Sequence, residues 1–318
     1  MRNLSLISLC LALVLLRVSY ANEKLVIFGD SLSDNGNALA ITKGAYPPSP
    51  YGHTYDKSGN DLGDTFPGRF TDGQNWVDYF PAVAKSFGVD VQAATAYLQN
   101  MQSATATNFA VGGATSGEGN VFFDILPGFR IQIVTYLNSV GQQASADDLY
   151  VIWVGANDFR AGIEPAQTVA NIKNGIAALS AKGARTFLVI TLPDLSLTPQ
   201  VKALGGATEL AAKSFVLATN VLLEGELPVF ALLHQINIQL VDINAIFIPL
   251  VYNPGSFGFT NSTGAAYNPA TGVVVPDPND YVFWDGFHPT TDAHYIGAEF
   301  IFKAAFLRPQ FHNFLSIR

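Results

Sequence analysis

The sequence predicts an α/β protein, a three-layer α/β/α sandwich around a mainly parallel, five-stranded sheet. Three observations predict it. Five short apolar, β-branched runs recur along the chain, segments of helical periodicity lie between them, and polar turn-forming residues follow several runs at their carboxyl ends. Strands that alternate with helices join as right-handed parallel units, and open sheets of this kind hold ligands beyond the carboxyl ends of their strands.

The first run, Lys24 to Phe28, stops at Gly29-Asp30-Ser31-Leu32-Ser33-Asp34-Asn35-Gly36-Asn37, so Ser31 sits where a strand gives way to a turn. The second, Thr107 to Val111, passes into the pair Gly112-Gly113. Arg130 to Val140 then places Ile131, Ile133, Val134 and Leu137 at helical spacing. Leu149 to Val154 is the third run and ends in Gly155-Ala156-Asn157-Asp158. Ala166 to Ala181 repeats the helical pattern with Val169, Ile172, Ile176 and Leu179. Thr186 to Ile190 is the fourth run, and Glu209 to Leu233 is a long Ala/Leu-rich helix expected to bend or break near Pro228. Ile238 to Ile243 closes the set, and a last helix starts near Thr290. Two stretches break the rhythm, residues 47–73 and 253–280, both rich in Pro, Gly, Asp and aromatics. Loops this long inside a compact fold are expected to flank a substrate crevice. No internal repeat or linker interrupts the chain, so residues 22–318 read as one domain.

Residues 1–21 read as an export signal: Arg2 near the start, an apolar stretch from Leu4 to Leu16, then Ser19-Tyr20-Ala21 with small residues at the cleavage positions. The apolar stretch is short for a membrane span. The expected destination is periplasmic or extracellular. Cleavage removes Cys10, the only cysteine, so the mature chain has no disulfide and no thiol chemistry. It also removes Arg2 and Arg17 and no acid, which takes the net charge from −8 to about −10. An acidic surface argues against a nucleic-acid partner.

Five histidines are candidates for a base: His53, His234, His288, His294 and His312. His288 stands out, because Asp285 three residues earlier can fold back onto its ring, orient it and stabilise the imidazolium. The plainer reading makes Asp285 and His288 caps of the C-terminal helix. The other four have no such partner nearby and read as surface or core residues. Acyl transfer also needs donors for a developing oxyanion. Gly112-Gly113 can present bare backbone N–H groups, and Asn157 an amide, at the same sheet edge; each also reads as an ordinary strand-ending turn. From Asp56 the spacing places Asp61 and Pro67 where a calcium loop needs Gly and Glu, and no cluster has zinc-ligand spacing. No metal or cofactor is expected.

Four blocks in order, GDSLSDNGN at 29–37, NFAVGGAT at 108–115, GAND at 155–158 and DGFHP at 285–289, resemble those of the GDSL (SGNH) hydrolases. Pro67-Gly68-Arg69-Phe70-Thr71-Asp72-Gly73 and the stretch from Leu149 to Phe159 resemble the long secreted esterase/lipase branch. That branch includes plant GDSL esterase/lipases and bacterial phospholipases and lysophospholipases. The resemblance covers nearly all the mature chain and implies a flavodoxin-like sandwich and serine ester hydrolysis. Position by position, it makes Ser31 the nucleophile, His288 the general base and Asp285 its orienting acid. It makes the Ser31 N–H, the Gly113 N–H (with Gly112 as fallback) and the Asn157 side chain the oxyanion hole, and it leaves Asp30 and Asp34 structural roles. The implied partner is a small-molecule or lipid ester, with transient contact at a lipid surface. Phe257, Phe259, Phe283 and Trp284 are open to two readings, acyl contact or core. Alternatives within the enzyme class are a carbohydrate O-acyl esterase and an acyltransferase to an alcohol such as a sterol. Outside it stands a lipid- or glycan-binding protein on a dead scaffold, against which the intact Ser31, Gly113, Asn157, Asp285 and His288 argue.

Overall fold

The computed structural model describes residues 24–56 and 58–307. The expected signal segment, with Cys10, and His312 lie outside them. At the centre is a parallel sheet in the order β1 (Leu25–Gly29), β2 (Leu149–Trp153), β3 (Thr186–Ile190), β4 (Asn237–Val241). Leu25 lies opposite Leu149, Leu149 opposite Thr186, and Thr186 opposite Asn237, so the carboxyl ends of all four strands come out at one edge. β1 and β2 are buried along their whole length, which is why they read as continuous apolar runs and not as alternating ones.

The fifth expected strand is the one correction to the sheet. Thr107 to Val111 does lie beside β1: Ile27 donates to the Thr107 carbonyl, and Phe109 and Val111 donate to Ile27 and Gly29. It forms a single parallel bridge to β1, at Asn108, and not a continuous ladder, leaving four strands. The cause is a buried glutamine. Gln132 takes the Gly29 N–H on its Oε1 at 3.0 Å and donates Nε2 to the Gly29 carbonyl at 2.8 Å, which uses the N–H that a further ladder rung requires.

Nine α-helices surround the sheet among the described residues: α1 (Asn37–Ile41), α2 (Trp76–Ser86), α3 (Phe129–Ser139), α4 (Ala156–Ala161), α5 (Pro165–Ser180), α6 (Pro199–Leu204), α7 (Gly206–His234), α8 (Asn244–Tyr252) and α9 (Thr291–Phe302). Alternate strand residues face opposite layers, as the two-residue period of a strand requires. Leu25, Ile27, Val151, Leu188 and Ile190 pack with Phe80 of α2 and Ile301 and Phe302 of α9. Val26, Phe28, Ile152, Phe187 and Val189 pack with Phe129 and Ile133 of α3, Ile172 and Ile176 of α5, and Leu223 and Leu227 of α7. The expected three layers are present. α7 runs through Pro228 without a break. Pro228 sits on the exposed side, away from the packed face that Leu223 and Leu227 present to the sheet.

Candidate active site

Ser31 stands just past the end of β1 in a turn built by Asp30. The Asp30 carbonyl accepts from the N–H groups of Ser33 and Asp34, and its Oδ1 accepts from Leu32 at 3.1 Å. From the other end of the chain, the segment before α9 brings His288 to the same point. Ser31 Oγ is 2.8 Å from His288 Nε2, and His288 Nδ1 is 2.7 Å from Asp285 Oδ2. An ionised carboxylate only accepts, so Nδ1 carries the proton and Nε2 is left to accept from the serine hydroxyl. The second oxygen of Asp285 accepts the Phe287 and His288 N–H groups, each at 2.7 Å. The tight turn that Asp-x-x-His spacing permits is therefore formed, and Asp285 orients the ring and does not cap α9.

Burial pushes the Asp285 carboxyl up, but the His288 ring and the N–H donors outweigh it and hold the group below the usual carboxylate range. Burial pushes His288 down; the Asp285 charge, its hydrogen bond and the Asp30 charge together raise it above its ordinary value. Burial raises Asp30 to about 7, against the Leu32 N–H and His288, which lower it.

Of the paired glycines, Gly112 donates its N–H to Asp34 Oδ2 at 2.8 Å and is unavailable to a ligand. Gly113 donates to no described group and lies at φ 81°; a side chain there would meet Phe122 at 2.4 Å. The Ser31 N–H also has no partner among the described residues. Asn157 Nδ2 donates to the carbonyl of Ala114, next to Gly113, at 3.1 Å, and keeps a second N–H. Asp34 holds this arrangement together. It is buried and accepts from Gly36, Asn37, Ala38 and Gly112, which caps α1 and ties the serine turn to the glycine turn. Asn108 Nδ2 reaches the Ser33 carbonyl and Asn35, while Asn37 Nδ2 reaches the carbonyls of Asn108 and Ala110. The first two sequence blocks are thus one hydrogen-bonded unit.

A cavity of about 300 Å³ opens beside Ser31, His288 and Asn157. Its walls are mostly apolar and include Leu195 and Val201, Phe247 and Leu250 of α8, and Ile296 of α9. Two expectations about it change. None of the described residues of 47–73 or 253–280 lines it; these loops instead brace the triad from behind. Tyr51 donates to Asp285 Oδ2 at 2.5 Å, Phe70 lies 5.5 Å from the His288 ring, and Tyr267 stacks on Trp284 at 5.3 Å. Phe259, Phe283 and Trp284 are buried core and Phe257 packs against it, so the acyl-contact reading of these aromatics is replaced by the core reading. Tyr51 was not visible as a site residue, because nothing in spacing links a Pro-rich loop to a position 234 residues away. Of the other histidines, His53 does have a carboxylate partner, Asp61 at 2.8 Å, since a hairpin brings the two together, but neither lines the cavity beside Ser31. His234 stacks on Phe230 at 4.1 Å, and His294 is buried on the cavity wall.

A sequence profile of GDSL-like lipases/acylhydrolases matches residues 25–301. The chain belongs to this family. Family membership makes it a GDSL-type serine ester hydrolase. Among its relatives is a thermolabile hemolysin of Vibrio parahaemolyticus, 26% identical over 87% of this chain; the match spans 62% of that protein's length. A GDSL esterase/lipase of Arabidopsis thaliana is 27% identical over 91% of this chain and 87% of its own. A phosphatidylcholine-sterol acyltransferase of Aeromonas hydrophila is 23% identical over 89% and 92% respectively. Among solved structures, an acetylxylan esterase of Geobacillus stearothermophilus overlays with a TM-score of 0.45 at 14% identity, covering 90% of this chain and 94% of that one.

Proposed function

We propose that this GDSL hydrolase cleaves the carboxylic ester of an acyl lipid through a covalent acyl–Ser31 intermediate. One observation carries the reading: the Ser31 hydroxyl, hydrogen-bonded to an Asp285-oriented His288, stands on the wall of a largely apolar cavity. In the reaction, Ser31 Oγ attacks the ester carbonyl while His288 Nε2 takes the hydroxyl proton. The tetrahedral oxyanion is held by the Ser31 and Gly113 N–H groups and the Asn157 amide. His288 then gives its proton to the leaving alcohol as the C–O bond breaks. Water, deprotonated by the same ring, attacks the acyl-enzyme and frees the acid and Ser31. Asp285 keeps its charge throughout and stabilises the imidazolium.

The cavity favours an extended acyl chain over an acetyl group, because a small acyl group leaves most of the apolar wall without contact. Residues 1–21 serve in this reading as a cleaved export signal, and residues 22–318 act as one catalytic domain whose nucleophile and base come from its two ends. The test is hydrolysis of chromogenic esters from acetyl to long acyl chains by the wild type and Ser31→Ala. Rising kcat/KM with chain length, abolished in Ser31→Ala, is expected. Acetyl preferred over all longer chains points to a carbohydrate esterase instead. Lipid binding with equal inactivity of both proteins points to a dead scaffold.

A further inference from the structure

α4 carries a second feature beside Asn157. Arg160 is three residues further along, on the same face of the helix, and lies at the mouth of the acyl cavity with its guanidinium 4.9 Å above the Phe122 ring. It is exposed and makes no ion pair with a described carboxylate. The other titratable side chains that line the cavity are Asp30, His288 and His294, so Arg160 is its one permanent cation among the described residues.

Arg160 also lines a shallow groove outside the cavity, with Thr115, Gly117, Glu118, Gly119 and Asn120. The carbonyls of that loop are already used, by Arg130, Gly128 and Thr115, whereas the N–H groups of Gly117, Glu118 and Gly119 donate to no described group. The one carboxylate in the groove, Glu118, is paired with Arg130 at 2.6 Å. Asn120 is occupied by the Gly112 carbonyl and the Phe122 N–H. What remains is a guanidinium and a run of bare amide hydrogens, the donor set that suits an anion with several oxygens.

We propose that this groove is a phosphate subsite, in which Arg160 binds the head-group phosphate of a glycerophospholipid or lysophospholipid whose ester carbonyl sits on Asn157. The inference rests on the acyl-ester reading above and specifies its substrate. The spacing fits. Asn157 and Arg160 are about one helical turn apart on α4, so one short backbone such as glycerol, which carries both the ester and the phosphate, can present one group to each. Arginine, with its fork of donors, is suited to hold two phosphate oxygens at once.

The test compares the full-length wild type, Arg160→Gln and Arg160→Lys on a lysophosphatidylcholine and on the monoacylglycerol with the same acyl chain, both in neutral detergent micelles. The measured quantity is the ratio of the two kcat/KM values. Arg160→Gln should lower that ratio about 10- to 100-fold, mainly through KM, and Arg160→Lys should restore part of it. Equal losses on both substrates, or no change in the ratio, overturn the subsite. A wild type that cleaves the monoacylglycerol but not the phospholipid overturns it while leaving the acyl-ester reading standing; inactivity on both overturns that reading as well. A final arm adds inorganic phosphate. Inhibition that depends on Arg160 but does not discriminate between the two lipids assigns the groove to free phosphate and rejects the head group.

Discussion

Tyr51→Phe removes one hydroxyl and leaves every other triad contact in place. That hydroxyl donates to Asp285 Oδ2, the oxygen that also receives His288 Nδ1. Burial and the Asp285 charge push the phenol far above its ordinary value, so it remains a donor across the working range. A hydrogen bond to a charged group is worth about 1.5–3 kcal/mol, and the full amount applies when the acceptor is orphaned. Here it is not, because His288 still bonds Oδ2 and two backbone N–H groups hold Oδ1. The expected stability loss is therefore near the lower bound, about 1–1.5 kcal/mol, read as a fall in the urea midpoint at constant slope. For activity the sign is less obvious. The phenol draws charge from the same carboxylate oxygen that raises His288, so its removal strengthens the pull on the ring and raises the His288 pKa further. Activity needs the neutral ring, so the acid limb of kcat/KM should move to higher pH, while the plateau rate changes only a few-fold because the backbone donors keep the geometry. The assay is a pH profile of ester hydrolysis by both proteins. An acid limb that moves to lower pH, or a plateau loss beyond about 100-fold, the scale of a removed oxyanion donor, refutes the assignment of Tyr51 to charge tuning.

In the wild type, kcat/KM should fall as pH drops through a value above histidine's ordinary 6.5, since Asp285 and Asp30 raise His288; an acid limb below 6.5 contradicts this. Asn157→Ala should lower kcat by about 10²–10³ with little change in KM, measured on a soluble ester, because its free N–H acts on the oxyanion. Gly297→Leu should shorten the preferred acyl chain in a chain-length series without loss of thermal stability. Gly297 lines the cavity from within α9, a side chain there meets nothing within 4 Å, and leucine is the better helix former. Asp34→Asn should cost about 2–5 kcal/mol in urea unfolding, since an amide cannot accept from all four N–H groups that the carboxylate now holds.

The sequence by itself determined the chemistry class and most of the scaffold. Runs such as Leu149 to Val154 and Thr186 to Ile190 are legible because a strand covered on both faces has to be continuously apolar, and the helices of 165–180 and 129–139 because one face has to be. The candidate site residues were legible as four short blocks whose joint order resembles one family, and one pairing was legible from local spacing, since Asp285 reaches His288 within one turn. What crosses the fold was not legible. The fifth run fails to complete a ladder because of Gln132, a polar residue inside a helical pattern whose partner is 103 positions away. The choice of Gly113 over Gly112 turns on Asp34, which spends the Gly112 N–H. Tyr51 and Phe70 join the site from a loop that periodicity cannot place, and the cavity is walled by α8, α9, the segment around α6 and Phe287, not by Phe257, Phe259, Phe283 or Trp284. Local bonding patterns leave a trace in spacing; contacts closed by packing two distant surfaces do not, and only the tertiary structure decides them.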